Sequence, residues 1–162
     1  MALKAKPIPD GFHTVTAYLT QRDTTRALDF YRRAFGAETR VTLQGPDGKT
    51  LHAEVKIGDS IVFMSDENPA MSPYVKAPAT AGCVTGTVYL YVPDVDAAFK
   101  RAIDAGAKVI TAVTDMFWGD RFGTLIDPLG HHWSLATHIE DVAPQEMKKR
   151  QADWEKSLAK KS

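Results

Sequence analysis

The chain has 162 residues, of which 44% are hydrophobic, and its 20 basic residues balance 20 acidic ones. This length suits one compact domain or two small halves that share a core. The neutral balance excludes a strongly basic protein that binds nucleic acid or an anionic membrane through excess charge. The single cysteine, Cys83, excludes an intramolecular disulfide and fits a reducing compartment. With no signal-peptide pattern and no bilayer-spanning apolar run, we expect a soluble, cytoplasmic protein.

The first part of the chain predicts a strand, a helix and three further strands. Val15 and Leu19 alternate with polar residues in the first strand, so we expect them to pack under the helix. Asp23 or Thr24 supplies the helix cap, and Gly36 ends the helix. The predicted elements are a strand at 13–20, a helix ending at Gly36, and strands at 38–44, 49–57 and 60–65.

The second part of the chain predicts the same order again, namely a strand at 84–92, a helix at 94–105, and strands at 107–113, 120–126 and 131–137. Between the two parts lies a segment rich in Pro, Ala, Ser and Gly, which predicts an irregular linker. A charged helix at 144–160 follows, and its Met147, Trp154 and Leu158 suggest docking on the body or on a partner. The predicted divisions are an N-terminal arm at 1–12, a first module at 13–65, a linker at 66–83, a second module at 84–142 and a C-terminal helix at 143–162.

The two modules are copies of one pattern. The segment Thr16-Ala17-Tyr18-Leu19 leads to Asp23, and Thr87-Val88-Tyr89-Leu90 leads to Asp94. The offset is 87 − 16 = 71 at the threonines and 94 − 23 = 71 at the aspartates. Since internal repetition governs the whole architecture, we expect a pseudo-symmetric molecule with its site between the copies.

Each predicted strand has an apolar face and a mixed polar–aromatic face, because side chains alternate across a strand. In the strand at 49–57, Leu51, Ala53, Val55 and Ile57 are expected to point inward, and His52 and Glu54 to the other face. A curved sheet would gather the mixed faces into a small-molecule pocket. The alternative is a plain solvent-exposed sheet face, where Thr and Tyr are also common. Exposure of three tyrosines together is costly and favours the pocket; they are Tyr18, Tyr89 and Tyr91.

Several segments of the chain resemble the vicinal oxygen chelate superfamily, which includes glyoxalases, extradiol dioxygenases, fosfomycin-resistance enzymes and bleomycin-binding proteins. Within that superfamily the resemblance is to the PhnB-like branch. It is carried by Ala27-Leu28-Asp29-Phe30-Tyr31, Phe35-Gly36-Ala37, His52-Ala53-Glu54, Val92-Pro93-Asp94-Val95-Asp96, Ala105-Gly106-Ala107, Trp118-Gly119-Asp120-Arg121 and Asp127-Pro128-Leu129-Gly130-His131-His132-Trp133. The resemblance implies an α+β, glyoxalase-like fold. Two βαβββ modules would form a cupped mixed β-sheet with helices outside, commonly in a homodimer.

The resemblance also implies where a metal would bind, because metal-dependent members place one ligand on the first strand and one on the last strand of each module. In this chain those positions are Thr16, Phe63 or Met64, Thr87 and Ser134. None of them is His or Glu, and hydroxyl and apolar side chains are poor ligands for a divalent metal. We therefore expect no metal at the usual positions and no cofactor.

His52 and Glu54 are the catalytic candidates, since they lie two apart on one strand and share a face. They fit a base and its orienting partner, a hydrogen-bonded structural pair, or two ligands of an unusual metal site completed by His132 or His138. Near the second module's turn, Arg121 either pairs with Asp120 or offers its guanidinium to a substrate anion. His132 and Ser134 are expected to face the pocket and His131 the helices, while His13 and His138 receive no role.

The predicted substrate-binding residues are those expected on the mixed faces: Thr16, Tyr18, Thr87, Tyr89, Tyr91, Trp118, Arg121, His132 and Ser134. Three functions stay open at this stage. The first is a glyoxalase-like lyase that acts on a small oxygenated substrate by proton transfer. The second is a metal-free protein that sequesters a small aromatic or cationic compound. The third is a dimeric interaction module whose cup is vestigial. No nucleic-acid or membrane partner is expected.

Overall fold

The computed structural model describes residues 5–159, and the fold consists of two modules followed by a helix. The first module contains β1 (Ala17–Gln21), α1 (Thr24–Phe35), β2 (Glu38–Gln44), β3 (Thr50–Ile57) and β4 (Ser60–Asp66). The second module contains β5 (Thr87–Tyr91), α3 (Val95–Asp104), β6 (Lys108–Asp115), β7 (Asp120–Ile126) and β8 (His132–His138). The short α2 (Pro78–Ala81) lies in the linker, and α4 (Pro144–Ala159) follows the second module.

Each module forms its own four-stranded mixed sheet. The strand orders are β1-β4-β3-β2 and β5-β8-β7-β6, with the first and last strands of each module parallel and the other pairs antiparallel. The predicted α+β fold of two βαβββ modules is therefore confirmed. Among residues 5–159, however, backbone hydrogen bonds divide the strands into two sheets and do not join them into one.

The same two devices fix the helix of each module. Asp23 accepts a hydrogen bond from the backbone N–H of Arg26, and Asp94 accepts one from that of Ala97, both at 2.9 Å. The last strand holds the first helical residue as well, through Asp66 to Thr24 N at 2.7 Å and through Thr137 to Val95 N at 2.8 Å. Such bonds satisfy backbone donors that a helix start leaves free. Both modules therefore hold the helix start from the last strand, although the first uses Asp66 and the second uses Thr137.

The two modules share one hydrophobic core, because α1 and α3 pack against each other. Small buried residues let the helices approach closely, and these are Ala27 and Ala34 on α1 and Ala98 and Ala102 on α3. The ring of Trp133 on β8 lies 4.6 Å from that of Phe35 on α1, measured between centroids. Neither helix is therefore buried by its own sheet alone.

A buried polar chain also joins the modules. Tyr31 on α1 donates a hydrogen bond of 2.9 Å to the carboxylate of Asp127, which also accepts one of 3.1 Å from Trp133 Nε1. Gln21 donates to the Tyr31 hydroxyl at 3.2 Å. Burial, followed by the charge of Asp127, raises the pKa of Tyr31 well above its ordinary value, so the phenol stays a donor.

Three details of the sequence predictions are corrected. The first strand begins at Ala17, where pairing with Val62 on β4 begins, so Val15 has no strand to hold it inward and is 85% exposed. Leu51 is 47% exposed, beside a register shift between β2 and β3. The linker is not wholly irregular, since it contains α2. The last helix contacts the body, which was one of the two predicted alternatives: its Trp154 meets Phe117 at 5.4 Å, although α4 has no buried residue among those described.

Candidate functional site

The structure distributes the predicted site residues over three places. Tyr18, His52 and Glu54 lie on the outer face of the first sheet, turned away from the core. Tyr89, Tyr91 and Trp118 lie together on the second module. The predicted residues that line a groove between β1 and β5 are Tyr18, Thr87 and His132. The predicted site residues therefore do not line one shared pocket but lie on separate surfaces.

The first-module face carries a cluster of aromatic rings around a carboxylate. Phe63 on β4 lies directly opposite Glu54 on β3 and opposite Tyr18 on β1. The ring of Phe63 meets those of His52 at 4.8 Å and Tyr18 at 5.9 Å. The alternation of β3 therefore places His52 and Glu54 on one face, as predicted, while Ala53 and Val55 enter the core.

Glu54 is held only loosely. Its carboxylate lies 3.6 Å from His52 Nε2 and 3.8 Å from the Arg40 guanidinium. These distances exceed a good hydrogen bond, and within residues 5–159 the Glu54 carboxylate has no hydrogen-bond donor at 3.5 Å or less. Although its side chain is only 17% exposed, it borders a cavity of about 680 Å³. This acceptor is therefore available to a ligand.

The N-terminal arm forms one wall of that cavity. Phe12 contacts the ring of Phe63 at 5.6 Å, and the guanidinium of Arg40 lies 5.5 Å from the centre of the Phe12 ring. Thr16 lines the same cavity together with Glu54 and Phe63. The arm thus closes one side of a space whose other walls come from β2, β3 and β4, through Arg40, Glu54 and Phe63.

The groove between the modules has a volume of about 500 Å³ and is lined by β1, the linker and the start of β5. His132 lines it, and the backbone N–H groups of His131 and Leu129 are held by Asp127. His131 was expected to face the helices, but it lines this groove as well and donates its Nε2–H to the carbonyl of Thr20 at 3.0 Å. Ser134 is buried beneath this surface.

On the second module, four side chains converge on one carboxylate. Tyr89, Tyr91 and Trp118 donate to Asp120 Oδ2 at 3.1, 3.0 and 3.1 Å, and His138 Nδ1 donates to Asp120 Oδ1 at 2.8 Å. Asp120 is only 3% exposed. Buried carboxylates persist when they are hydrogen-bonded, and here every donor comes from an aromatic side chain.

Gly119 makes this arrangement possible. It has a φ of +96°, and a Cβ at this position would overlap the carbonyl oxygen of Glu140. Its own carbonyl accepts the N–H groups of Ile139 and Glu140 at 2.9 and 3.0 Å. The chain between Trp118 and Asp120 can therefore pass close to the end of β8, where the pairing of β7 with β8 sets His138 opposite Asp120.

Ionisation in this cluster follows from the hydrogen bonds. Burial alone would raise the pKa of Asp120, but the donors, led by His138, outweigh burial and lower it. Hydrogen bonds to Asp141 at 3.0 Å and then to Asp120 raise the pKa of His138. Burial, and then the bond to Asp120, raise the pKa of Tyr89. The cluster therefore contains an ionised carboxylate and neutral tyrosines at neutral pH.

Two predictions about this region were wrong. Arg121 does not pair with Asp120: it lies on the opposite face of β7, where its guanidinium binds Asp96 at 2.7 and 2.8 Å and Asp115 at 2.8 Å. That side chain ties β7 to α3 and β6 and does not border the cavity of the tyrosines. His138, which received no role, is a central member of the cluster. Its only sequence signal was its position at the end of the last strand.

The usual metal positions do not fit a divalent ion. Met64 is fully buried in the core, Phe63 is held among aromatic rings, and the remaining positions carry the hydroxyls of Thr16, Thr87 and Ser134. Imidazole and carboxylate are the ligands such a site requires. Within residues 5–159, no three His, Cys, Asp or Glu side chains are grouped so that they could hold a metal, which leaves the pair His52 and Glu54 without a third ligand.

The family model of the Glyoxalase/Bleomycin resistance protein/Dioxygenase superfamily matches residues 11–135, and the chain belongs to this superfamily. An uncharacterized protein of Mycobacterium tuberculosis, Rv0887c, is 39% identical over 148 residues, which cover 91% of this chain and 84% of that protein.

Solved structures of the same class are similar as well. TioX from Micromonospora sp. ML1 has a TM-score of 0.60 and 29% identity, with 78% of this chain and 99% of that chain covered. A PhnB protein from Bacillus cereus has a TM-score of 0.59 and 17% identity, with 77% and 99% covered, and at that identity supports the fold alone. Across residues 5–159, no helix combines the length and apolar character that a membrane crossing requires.

Proposed function

We propose that this protein binds a small aromatic compound on the outer face of its first module, without a metal ion. The observation that carries the proposal is the Glu54 carboxylate, which borders a cavity of about 680 Å³ and lacks a close donor. The rings of Phe12 and Phe63 line the same cavity, and Tyr18 packs against Phe63 beside it. Apolar walls around a few polar groups are typical of small-molecule sites.

The chemistry of this face favours an aromatic ligand that carries an N–H donor. The ligand's ring would lie against Phe12 or Phe63, and its donor would reach Glu54 in place of the long contacts to His52 and Arg40. A hydrogen bond to a charged acceptor contributes about 1.5–3 kcal/mol. Arg40 lines the same cavity and can donate hydrogen bonds to an acceptor group of the ligand.

The test uses tryptamine, an indole with an ammonium group, titrated into ¹⁵N-labelled protein and followed by NMR. We expect amide shifts to centre on β2, β3 and β4, and Glu54→Gln to weaken binding about tenfold or more, since a charged hydrogen bond is lost. Glu38→Gln is the control, because Glu38 is an exposed carboxylate on β2 of the same sheet. Equal affinities of Glu54→Gln and the unsubstituted protein, or shifts confined to the second module, would refute the proposal.

A second candidate function is proton transfer by the same face. The pairing of His52 and Glu54 at 3.6 Å is the observation that favours it, because a carboxylate base with an adjacent imidazole suits abstraction of a proton next to a carbonyl. The hemithioacetal of methylglyoxal and glutathione is the probe. Turnover that is lost in Glu54→Gln supports this lyase chemistry, and turnover that survives in that variant excludes Glu54 as the base.

We also infer that two copies of the chain associate. The outermost strands β2 and β6 are exposed along almost their whole length and carry large apolar side chains. Those side chains are Val41, Leu43, Val109 and Ile110. An open sheet edge with apolar residues is a template for pairing with another chain, and a second copy supplies a matching surface.

A further inference from the structure

The second module contains a shallow, wide-open cavity of about 580 Å³ that is bordered by aromatic side chains and a carboxylate. Tyr89, Tyr91 and Trp118 line it together with Asp120. The rings of Tyr89 and Tyr91 lie 5.1 Å apart, and Phe122 stacks on Tyr89 at 5.7 Å and meets Trp118 at 5.8 Å. We refer to Tyr89, Tyr91, Trp118, Phe122 and Asp120 as the aromatic cage.

The aromatic cage is electronegative. Ring faces attract cations through their quadrupoles, and the buried carboxylate of Asp120 adds a full negative charge beneath the rings. His138 offsets one charge when it is protonated, but it is shared with the carboxylate of Asp141. The guanidinium of Arg121 lies on the other face of the strand and is taken up by Asp96 and Asp115. A cation in the cavity would therefore be attracted and not repelled.

The hydrogen bonds of Asp120 restrict which cation fits. Oδ2 already accepts three donors and Oδ1 accepts one. A carboxylate offers about four lone-pair positions, so this carboxylate, which is only 3% exposed, has little acceptor capacity left for a ligand N–H. A cation that has no N–H group and presents only methyl groups to the rings avoids this conflict. Trimethylammonium groups have that character, and aromatic cages recognise them elsewhere.

We propose that the aromatic cage binds a quaternary ammonium group, such as the trimethylammonium head of choline. Its methyl groups contact the ring faces of Tyr89, Tyr91 and Trp118, and its charge is balanced through space by Asp120. This site differs in place and in chemistry from the Glu54 face, which offers a free hydrogen-bond acceptor. The two sites are tested independently, because their side chains lie on different sheets.

The first experiment compares choline with 3,3-dimethylbutanol, its uncharged analogue of the same shape, by NMR titration of the unsubstituted ¹⁵N-labelled protein at constant ionic strength. We expect choline to shift the amides of β5 and β7 and the indole N–H of Trp118. Its affinity should exceed that of the alcohol about five- to tenfold or more, as expected for loss of a cation–π attraction. Equal affinities of the two compounds, or no shift with choline at tens of millimolar, would overturn the proposal.

The second experiment replaces a ring that is 61% exposed, so that folding is spared. Tyr91→Leu removes a wall of the cage and should weaken choline binding about fivefold, whereas Tyr91→Phe keeps the ring and should change it less than about twofold. Tyr18→Leu is the matched control on the first module and should leave choline binding unchanged. Choline affinity that falls in Tyr18→Leu and not in Tyr91→Leu would place the cation on the other face and contradict the assignment.

Discussion

Asp120 and Glu54 are partly or fully buried carboxylates that have opposite surroundings. Asp120 accepts four hydrogen bonds of 2.8–3.1 Å and therefore fixes the side chains around it. Glu54 has an imidazole at 3.6 Å and a guanidinium at 3.8 Å. A saturated carboxylate acts on its surroundings mainly by charge, whereas an unsaturated one can also accept a ligand's proton donor. The two modules can therefore recognise different ligands although they share a fold.

The hydroxyl of Tyr31 on α1 links the two modules by a buried hydrogen bond to Asp127. Tyr31→Phe should lower the free energy of unfolding by about 1–3 kcal/mol, because Asp127 and Gln21 lose their buried partner. Urea denaturation followed by tryptophan fluorescence measures the loss. Tyr18→Phe is the control, since the Tyr18 ring is half exposed. A Tyr31→Phe protein as stable as the unsubstituted one would show that the hydroxyl is not needed.

His138 should titrate above the ordinary histidine range. Its two ring nitrogens face Asp141 and Asp120, so its protonated form is favoured and its pKa is raised. This stabilisation is fully present below the unfolded-state pKa of about 6.5 and is lost as pH rises through the higher folded-state value. NMR titration should show a lower pKa in Asp141→Asn. An unchanged pKa in that variant would contradict the pairing.

The residues of the candidate site were only partly predictable. Alternation along β3 correctly predicted that His52 and Glu54 share a face, because a strand has a fixed period. The partners of Arg121 were not predictable, since Asp96 and Asp115 lie on different elements and meet it only through the fold. The same applies to His138, whose contact with Asp120 depends on the register in which β7 and β8 pair.

At the scale of elements, Gly123 sets how closely α3 lies on the second sheet. A Cβ at this position would come within 2.9 Å of Phe99 and 3.0 Å of Val113, with a backbone carbonyl at 3.2 Å. Gly123→Ala should therefore reduce the free energy of unfolding by about 1–3 kcal/mol, as overpacking does in tight cores.

Gly86→Ala provides the matched control for that substitution. No atom lies within 4 Å of a Cβ built at Gly86, and its φ is not in the left-handed region. Thermal denaturation of both variants measures the difference. If Gly123→Ala unfolds at the same temperature as Gly86→Ala, the packing of α3 on β7 is looser than described.

The ends of elements show which sequence signals are strong. The helix starts at 24 and 95 follow from cap residues that act locally, and strand 38–44 was predicted with its observed bounds. The start of β1 was predicted too early, because alternation continues back to 13 whereas pairing begins only where β4 supplies a partner. Local patterns therefore predict elements well, but a strand's length is decided by its neighbour.

At the scale of the whole molecule, the exposed outer strands β2 and β6 lead us to expect that two copies of the chain associate. We expect sedimentation velocity to show a dimer at micromolar concentration. Leu43→Glu should shift it toward monomer, since a charge on an apolar sheet edge opposes pairing. Ile103→Glu on α3 serves as the control, because it adds the same charge to an exposed apolar position outside the strands. A monomer at all concentrations would contradict the inference.

The shared core has a consequence for how this chain can be divided. Because α1 and α3 bury each other and Tyr31 reaches Asp127 across the boundary, a half cut free in the linker would expose an apolar helix face to water. The internal duplication therefore does not make the halves autonomous. Two fragments separated near Pro73 should stay unfolded alone and fold only when they are mixed. Such a pair would report the proximity of two proteins to which the fragments are fused.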